Sequence, residues 1–371
     1  MEQRAYNFSA GPSQMPLAVL EQAQRELLCY PGANCSVLEM SHRSAPYQEI
    51  IDRARASLRK LMNIPASYDI LFLQGGASLQ FSMAAMNLAR QGDTMAYAES
   101  GHFAAKAYEE GKRWGNAVCV ASSKADGYTR IPVVGNVPED AKFLHITGNN
   151  TIFGTAYHSL EAKLPACVLP ENGQPAQIPL IADWSSAMLG QEIDVTQYGL
   201  IYAGAQKNLG PAGLTVVIIR RDLMEREKDP LVPSMLRYDV ASRSGSMYNT
   251  PPTFAIYLAG LMFDWVLAQG GVAAMAERNR RKSAMLYELI DQSALFRNCV
   301  APKDRSLMNV VFTLPTEQDT ADFLALAKSR GLISLKGHRL TGGLRASIYN
   351  GMPEEGVQLL ADTMKQFEMT R

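Results

Sequence analysis

The chain has 371 residues, 47% hydrophobic and 19% charged, a globular composition that excludes a disordered, collagenous or low-complexity polymer. At roughly 100–200 residues per domain this length predicts two or three domains, with a core large enough to need no disulfide or metal staple. Lys and Arg total 36 and Asp and Glu total 36, so no basic field exists to condense on nucleic acid or anionic lipid, and only local cationic pockets remain.

Short β-rich runs alternate with helical patterns through the first two thirds. Ile70–Leu73, Thr94–Ala98, Val118–Ala121, Phe143–Ile146, Leu180–Asp183, Leu200–Ala203 and Leu214–Ile219 read as strands, most of them continuously apolar, as buried parallel strands are. Leu79–Leu88 and Phe103–Arg113 read as helices between them, so the pattern is a βαβ succession and an α/β sheet. From Phe254 the texture turns helical: Phe254–Ala268 precedes a charge-rich helical segment over Glu277–Leu289. A strand-like Met308–Leu314, a helical Thr320–Arg330, a strand-like Leu344–Tyr349 and a helical Glu354–Phe367 complete a smaller α+β domain. The boundary is expected near residue 265, with residues 16–265 as the large domain and residues 1–15 joined to 266–371 as the small one.

The five cysteines, Cys29, Cys35, Cys119, Cys167 and Cys299, are odd in number and irregular in spacing, which predicts neither a disulfide framework nor a metal site and fits a reducing compartment. Residues 1–30 lack a basic-then-apolar leader, and the apolar stretch Ala255–Ala268 is too short for a bilayer and contains Asp264. A cytoplasmic protein is expected.

Three features carry chemistry. Gly75-Gly76-Ala77-Ser78 follows a strand and precedes a helical run, a junction that presents free backbone N–H groups and a positive dipole end to a phosphate. A tight turn with nothing bound is the equally weighted alternative, and neither the dinucleotide nor the P-loop fingerprint is present. Asp183 ends a strand, at the edge where open α/β sheets place ligands; taken alone it reads more often as a helix cap. Lys207 lies in a turn of small residues, Tyr202 to Gly213, and taken alone reads as a solvated loop lysine. Together the three supply what pyridoxal phosphate needs: a phosphate cradle, a partner for the pyridine nitrogen and an amine for the aldehyde.

Tyr202–Gly213, Asn249-Thr250-Pro251-Pro252-Thr253, Ser41-His42-Arg43-Ser44 and Gly342-Gly343-Leu344-Arg345-Ala346-Ser347 are in the right order for a known family. With Asn7-Phe8-Ser9-Ala10-Gly11-Pro12, they make the chain similar to the phosphoserine aminotransferases, a class V branch of the fold type I pyridoxal-phosphate enzymes. The resemblance runs to the C-terminal helix. It implies an α/β large domain with a mostly parallel seven-stranded sheet, and a smaller α+β C-terminal domain. It also implies that Lys207 carries the cofactor and that Asp183, with Ser185 beside it, keeps the pyridine nitrogen protonated. Ala77, Ser78 and Gln206 would contact the cofactor phosphate, with Asn249 and Thr250 reaching over from the partner subunit, and Thr151 would hydrogen-bond the ring. Phe103 stands where the family usually stacks a tryptophan, and Ser78 where some members carry an arginine.

An arginine fork matches a carboxylate, and the family places one at Arg345 for the substrate α-carboxylate. His42, Arg43, His338 and Arg339 become candidates for the distal anion, with Ser9 also at the substrate. His102, His145 and His158 read as structural. The implied activity is amino transfer from glutamate to 3-phosphohydroxypyruvate, giving phosphoserine and 2-oxoglutarate in serine biosynthesis, by a homodimer with shared active sites. A role on 4-phosphohydroxythreonine in vitamin B6 synthesis is also admitted. A cysteine desulfurase, the nearest rival along with an alanine–glyoxylate transaminase, needs a nucleophilic cysteine on a second-domain loop, and none follows Cys299.

Overall fold

In the computed structural model, which describes residues 4–371, the strands are β1 Tyr6–Asn7, β2 Tyr68–Leu73, β3 Thr94–Glu99, β4 Asn116–Ser122, β5 Leu144–Thr147, β6 Asn149–Asn150 and β7 Thr155–Ala156. They continue with β8 Leu180–Asp183, β9 Leu200–Gly204, β10 Thr215–Arg220, β11 Asn309–Phe312, β12 Leu332–Ile333 and β13 Leu344–Ser347. The helices are α1 Leu17–Glu26, α2 Ala45–Leu61, α3 Gly76–Leu88, α4 His102–Trp114, α5 Arg221–Glu225, α6 Tyr238–Arg243, α7 Thr253–Ala268, α8 Gly271–Gln292, α9 Glu317–Ser329 and α10 Glu354–Met369.

The seven strands expected from the sequence make one sheet, in the order β2-β10-β9-β8-β5-β3-β4. All pairs are parallel except those of β10, which runs antiparallel to both β2 and β9. An apolar run does not encode strand direction, so this reversal was not foreseen. Both faces of the sheet are buried, and side chains alternate between them with the period of two that a pleat imposes. Ile70, Phe72, Ala96, Leu144, Ile146, Ile201, Val216 and Ile218 enter one core, while Leu71, Met95, Tyr97, Ile181, Tyr202, Val217 and Ile219 enter the other. α3 and α4 cover the second face with Phe81, Met83, Ala85 and Ala107, and α2 and α7 pack together over the first.

α2 lies outside the elements read from the sequence, although its start is well marked. Ser44 Oγ accepts the Tyr47 N–H at 3.4 Å, and Pro46 sits in the first turn, where its missing N–H costs nothing. Tyr47, Ile50, Ile51, Ala54, Leu58 and Leu61 then form one buried helical face. α7 is apolar almost all round because it is core: Ile256, Tyr257, Ala259, Met262, Phe263 and Val266 are buried. No single helix among the described residues is long and apolar enough to cross a membrane.

A third core holds Phe8, Leu286, Val310, Leu344, Ala346 and Met364 around an aromatic cluster. There the Phe296 ring meets Phe312 edge-on at 5.8 Å and Phe323 at 5.4 Å. β11 and β13 pair antiparallel, and β1 pairs parallel with β12, Tyr6 opposite Leu332. The first described residues are thereby fastened to the last third of the chain.

Candidate active site

β2, β3, β5, β8 and β9 point the same way, and their C-terminal ends deliver Gly75, Gly101, Thr151, Asp183 and Lys207 to one edge of the sheet. α3 starts at Gly76, not Leu79, so Ala77 and Ser78 lie in its first turn, where backbone N–H groups have no intrahelical acceptor. Gly75 makes that entry with φ 90°, and a Cβ there would come 2.4 Å from Leu79 Cδ2. At Gly101 a Cβ would lie 2.4 Å from Asn150 Oδ1, so the turn after β3 closes directly onto the β6 segment that leads to Thr151.

Lys207 Nζ donates to Thr151 Oγ1 at 2.7 Å and stands 5.1 Å from the centroid of the Phe103 ring. Burial brings its pKa down to about 8, Asp183 pulls it back up, and Arg345 pushes it down. Asp183 is buried, and that burial pushes its carboxyl above the usual range, against Lys207 and two hydrogen bonds from Ser185. Both bonds, from Ser185 N–H at 2.9 Å and Ser185 Oγ at 2.5 Å, fall on Oδ1, which leaves Oδ2 for another donor. Ser185 Oγ also accepts the Gly204 N–H at 3.0 Å, tying the end of β8 to the end of β9. Arg345, half-buried on β13, donates from Nη1 to the Thr151 carbonyl at 3.4 Å, and its buried Nε has no partner. This set can hold a ring nitrogen at Asp183, offer a partly neutral amine at Lys207, and turn an unspent guanidinium face toward a carboxylate.

His338 and Arg339 sit on the loop leading to Arg345, with the His338 ring 6.2 Å from that of His102. Gln206 follows β9, and its carbonyl accepts the Ser13 N–H at 3.0 Å. Ser9 is in the N-terminal segment that passes this turn, its Oγ accepting the Gly11 N–H at 3.4 Å. Four expected residues do not join Lys207 within the chain. His42 and Arg43 lie at the surface before α2, and Asn249 and Thr250 are exposed before α7, where the Thr250 carbonyl accepts from Gln74 Nε2 at 3.4 Å.

His145 is buried between Tyr97 and Tyr202, with Nε2 2.8 Å from Tyr202 Oη and Nδ1 without a partner; burial lowers its pKa to about 3, so it is neutral. His158 is bonded to the Arg305 carbonyl. Three supporting residues were not picked out from the sequence. Ser13 Oγ donates to the Lys207 carbonyl. Asn208 Nδ2 donates to the Met188 carbonyl at 2.7 Å, and its Oδ1 accepts the Asn350 N–H at 2.9 Å. Asn350 Nδ2 donates to the carbonyl of Leu189, a buried leucine held at φ 62°. Ser13 stands next to a stretch read as significant and Asn208 lies within one, but their partners are remote in sequence.

Comparison with known proteins places the whole chain among relatives. The class-V aminotransferase family matches residues 5–360. A phosphoserine aminotransferase of Geobacillus kaustophilus is 52% identical over 367 residues, 98% of each chain. The solved phosphoserine aminotransferase of Bacillus circulans subsp. alkalophilus superposes with a TM-score of 0.93 at 42% identity, covering 100% of both chains. That of Trichomonas vaginalis, solved with pyridoxal phosphate bound, gives 0.88 at 38% identity over 98% of this chain and 100% of its own. The chain therefore belongs to the class-V aminotransferases, and it is an aminotransferase whose full-length relatives include phosphoserine aminotransferases.

Proposed function

We propose that the chain is a phosphoserine transaminase of serine biosynthesis, moving the amino group of L-glutamate to 3-phosphohydroxypyruvate to give O-phospho-L-serine and 2-oxoglutarate. The observation that carries this is the placing at one strand edge of the Lys207 amine and buried Asp183, which interact electrostatically, with Lys207 and Arg345 both bonded to Thr151 and Asp183 Oδ2 left without a bond from Ser185. The residues fit pyridoxal phosphate: a buried carboxylate with one oxygen unspent, an amine held partly neutral, and a helix start with open N–H groups. When bound, pyridoxal phosphate supplies the electron sink that lets the substrate Cα–H bond break and an amino group be exchanged.

Lys207 would hold the cofactor, Asp183 would keep its pyridine nitrogen protonated, and Ser185 would fix the Asp183 carboxylate. Thr151 would bond the ring, Phe103 would cover its face, and Ala77, Ser78 and Gln206 would meet its phosphate. Lys207 Nζ then serves as the base that takes the substrate Cα proton and as the acid that returns it. Arg345 forks onto the α-carboxylate, with Ser9 near it, while His338 and Arg339 meet the distal phosphate or carboxylate. In a homodimer, Asn249 and Thr250 of the partner subunit would complete the phosphate contacts, and His42 and Arg43 would reach the distal anion; the exposure of Arg43, Asn249 and Thr250 in the single chain, with half-buried His42 next to Arg43 in sequence, supports this. Residues 16–265 would form the cofactor-binding domain, with residues 1–15 and 266–371 as the second, a division supported by the separate core around Phe8 and Phe296.

The test is a panel of half-reactions. Purified yellow protein is mixed in turn with phosphoserine, serine, glutamate, alanine and cysteine, and the visible absorbance is followed. Rapid conversion by phosphoserine and glutamate, and slow conversion by serine and alanine, is the expected result. Equal conversion by serine and phosphoserine would overturn the substrate assignment.

A further inference from the structure

His102 opens α4 one residue before Phe103, and its ring lies 5.5 Å from the Phe103 ring and 6.2 Å from that of His338. Since Phe103 faces Lys207 Nζ at 5.1 Å, His102 fills the part of the rim between the amine and the loop of His338 and Arg339. The two imidazoles are not equivalent. His338 Nδ1 accepts the Leu340 N–H at 3.2 Å, which places the proton of the neutral ring on Nε2 and opposes protonation of Nδ1. The His102 ring has aromatic contacts, and its nitrogens hydrogen-bond no other described residue, so it can take a second proton without breaking a protein contact.

The surroundings of both rings are cationic. Partial burial, then Lys106 on its own helix and Arg339 from the facing loop, hold the His102 imidazole below its ordinary range. Partial burial, Arg345, His102 and Arg339 do the same to His338. A doubly negative group set among these cations reverses that balance, and the ring whose nitrogens are free responds most.

We propose that His102 is a specificity residue of the distal anion pocket: its ring, with both nitrogens free of protein partners among the described residues, takes up a proton when a dianion binds beside His338 and Arg339, and so favours a phosphate over a carboxylate side chain. This rests on the assignment of His338 and Arg339 to the distal anion. Lower pH fills the second imidazole site, so preference for phosphoserine over glutamate should rise as pH falls from 8.5 to 6.5 and flatten in His102→Asn.

The chain has five histidines, so each imidazole can be followed by nitrogen-15 NMR of the holoenzyme and assigned by single substitution. Sulfate is the probe, because it stays a dianion throughout the range and any proton taken up belongs to the protein. With saturating sulfate the His102 midpoint should rise by about one pH unit. A response from His338 without one from His102 would overturn the proposal and leave the pocket assignment standing. Silence from both would remove the pocket assignment itself. In kinetics, His102→Asn should lower kcat/KM for phosphoserine by about 3- to 10-fold and leave glutamate within about twofold. An equal loss on both substrates would mean that the ring only supports Phe103, and the proposal would fail.

Discussion

The Lys207 amine sits between a carboxylate that raises its proton affinity and a guanidinium that lowers it. Substitutions at the two should therefore move it in opposite directions. Asp183→Asn removes a charge that stabilises the ammonium form, so the Lys207 midpoint should fall below its value of about 8; Arg345→Gln removes a repelling charge, so the midpoint should rise. Measured on cofactor-free protein as the pH dependence of Lys207 modification by an amine reagent, located by peptide mass, the two shifts have opposite signs. Shifts of the same sign would show that a change of burial, and not charge, sets the amine. Lys207, Asp183 and the Gly75 turn could be read from the sequence because each stands at a strand end, where local pattern announces the position. Ser13, Asn208 and Asn350 could not, since what matters about them is a partner far along the chain.

Among the elements, α8 carries a lysine with an unusual burden. Lys282 is fully buried, and its Nζ donates to the carbonyls of Ile348 at 2.7 Å, Tyr349 at 2.8 Å and Met352 at 3.1 Å. Burial pulls its pKa to about 7, yet three acceptors occupy the three N–H bonds that only the ammonium form possesses. Lys282→Met would fill the space and leave three carbonyls bare, costing ~3 kcal/mol or more, to be read as a lower urea midpoint. A loss under about 1 kcal/mol would show that water can replace the ammonium there. The same loop holds Asn350, whose Nδ2 bonds the Leu189 carbonyl while Oδ1 accepts from Asn279 Nδ2 at 2.8 Å. Asn350→Leu should thus loosen the strained Leu189 turn downstream of Asp183, raising amide exchange over residues 186–190 by about 10-fold or more while the β2 amides stay protected. The seven sheet strands were legible chiefly as short apolar runs and the later helices as longer helical stretches, because burial writes itself into side chains. The direction of β10 and the two-residue pairing of β1 with β12 were not, because backbone pairing leaves no such mark.

At the scale of the molecule, exposed Asn249 and Thr250 give the proposed shared site a direct test. The double variant Asn249→Asp, Thr250→Glu sets carboxylates against the partner's cofactor phosphate, and Lys207→Ala removes the amine; neither should be active alone. When the two are mixed and subunits exchange, each mixed dimer gathers both lesions in one site and none in the other, so about a quarter of all sites should recover. No recovery, with exchange confirmed by mass, would assign Asn249 and Thr250 to the cofactor of their own chain. The fastening of Tyr6 to Leu332, and of Ser13 to the turn of Lys207, also has a consequence in time. A ribosome releases Tyr6 more than 300 residues before Leu332, at about 5–20 residues per second, so the strap behind the Lys207 turn waits tens of seconds for the strand that anchors it. The nascent sheet can form early, but the strap is anchored only once Leu332 has emerged.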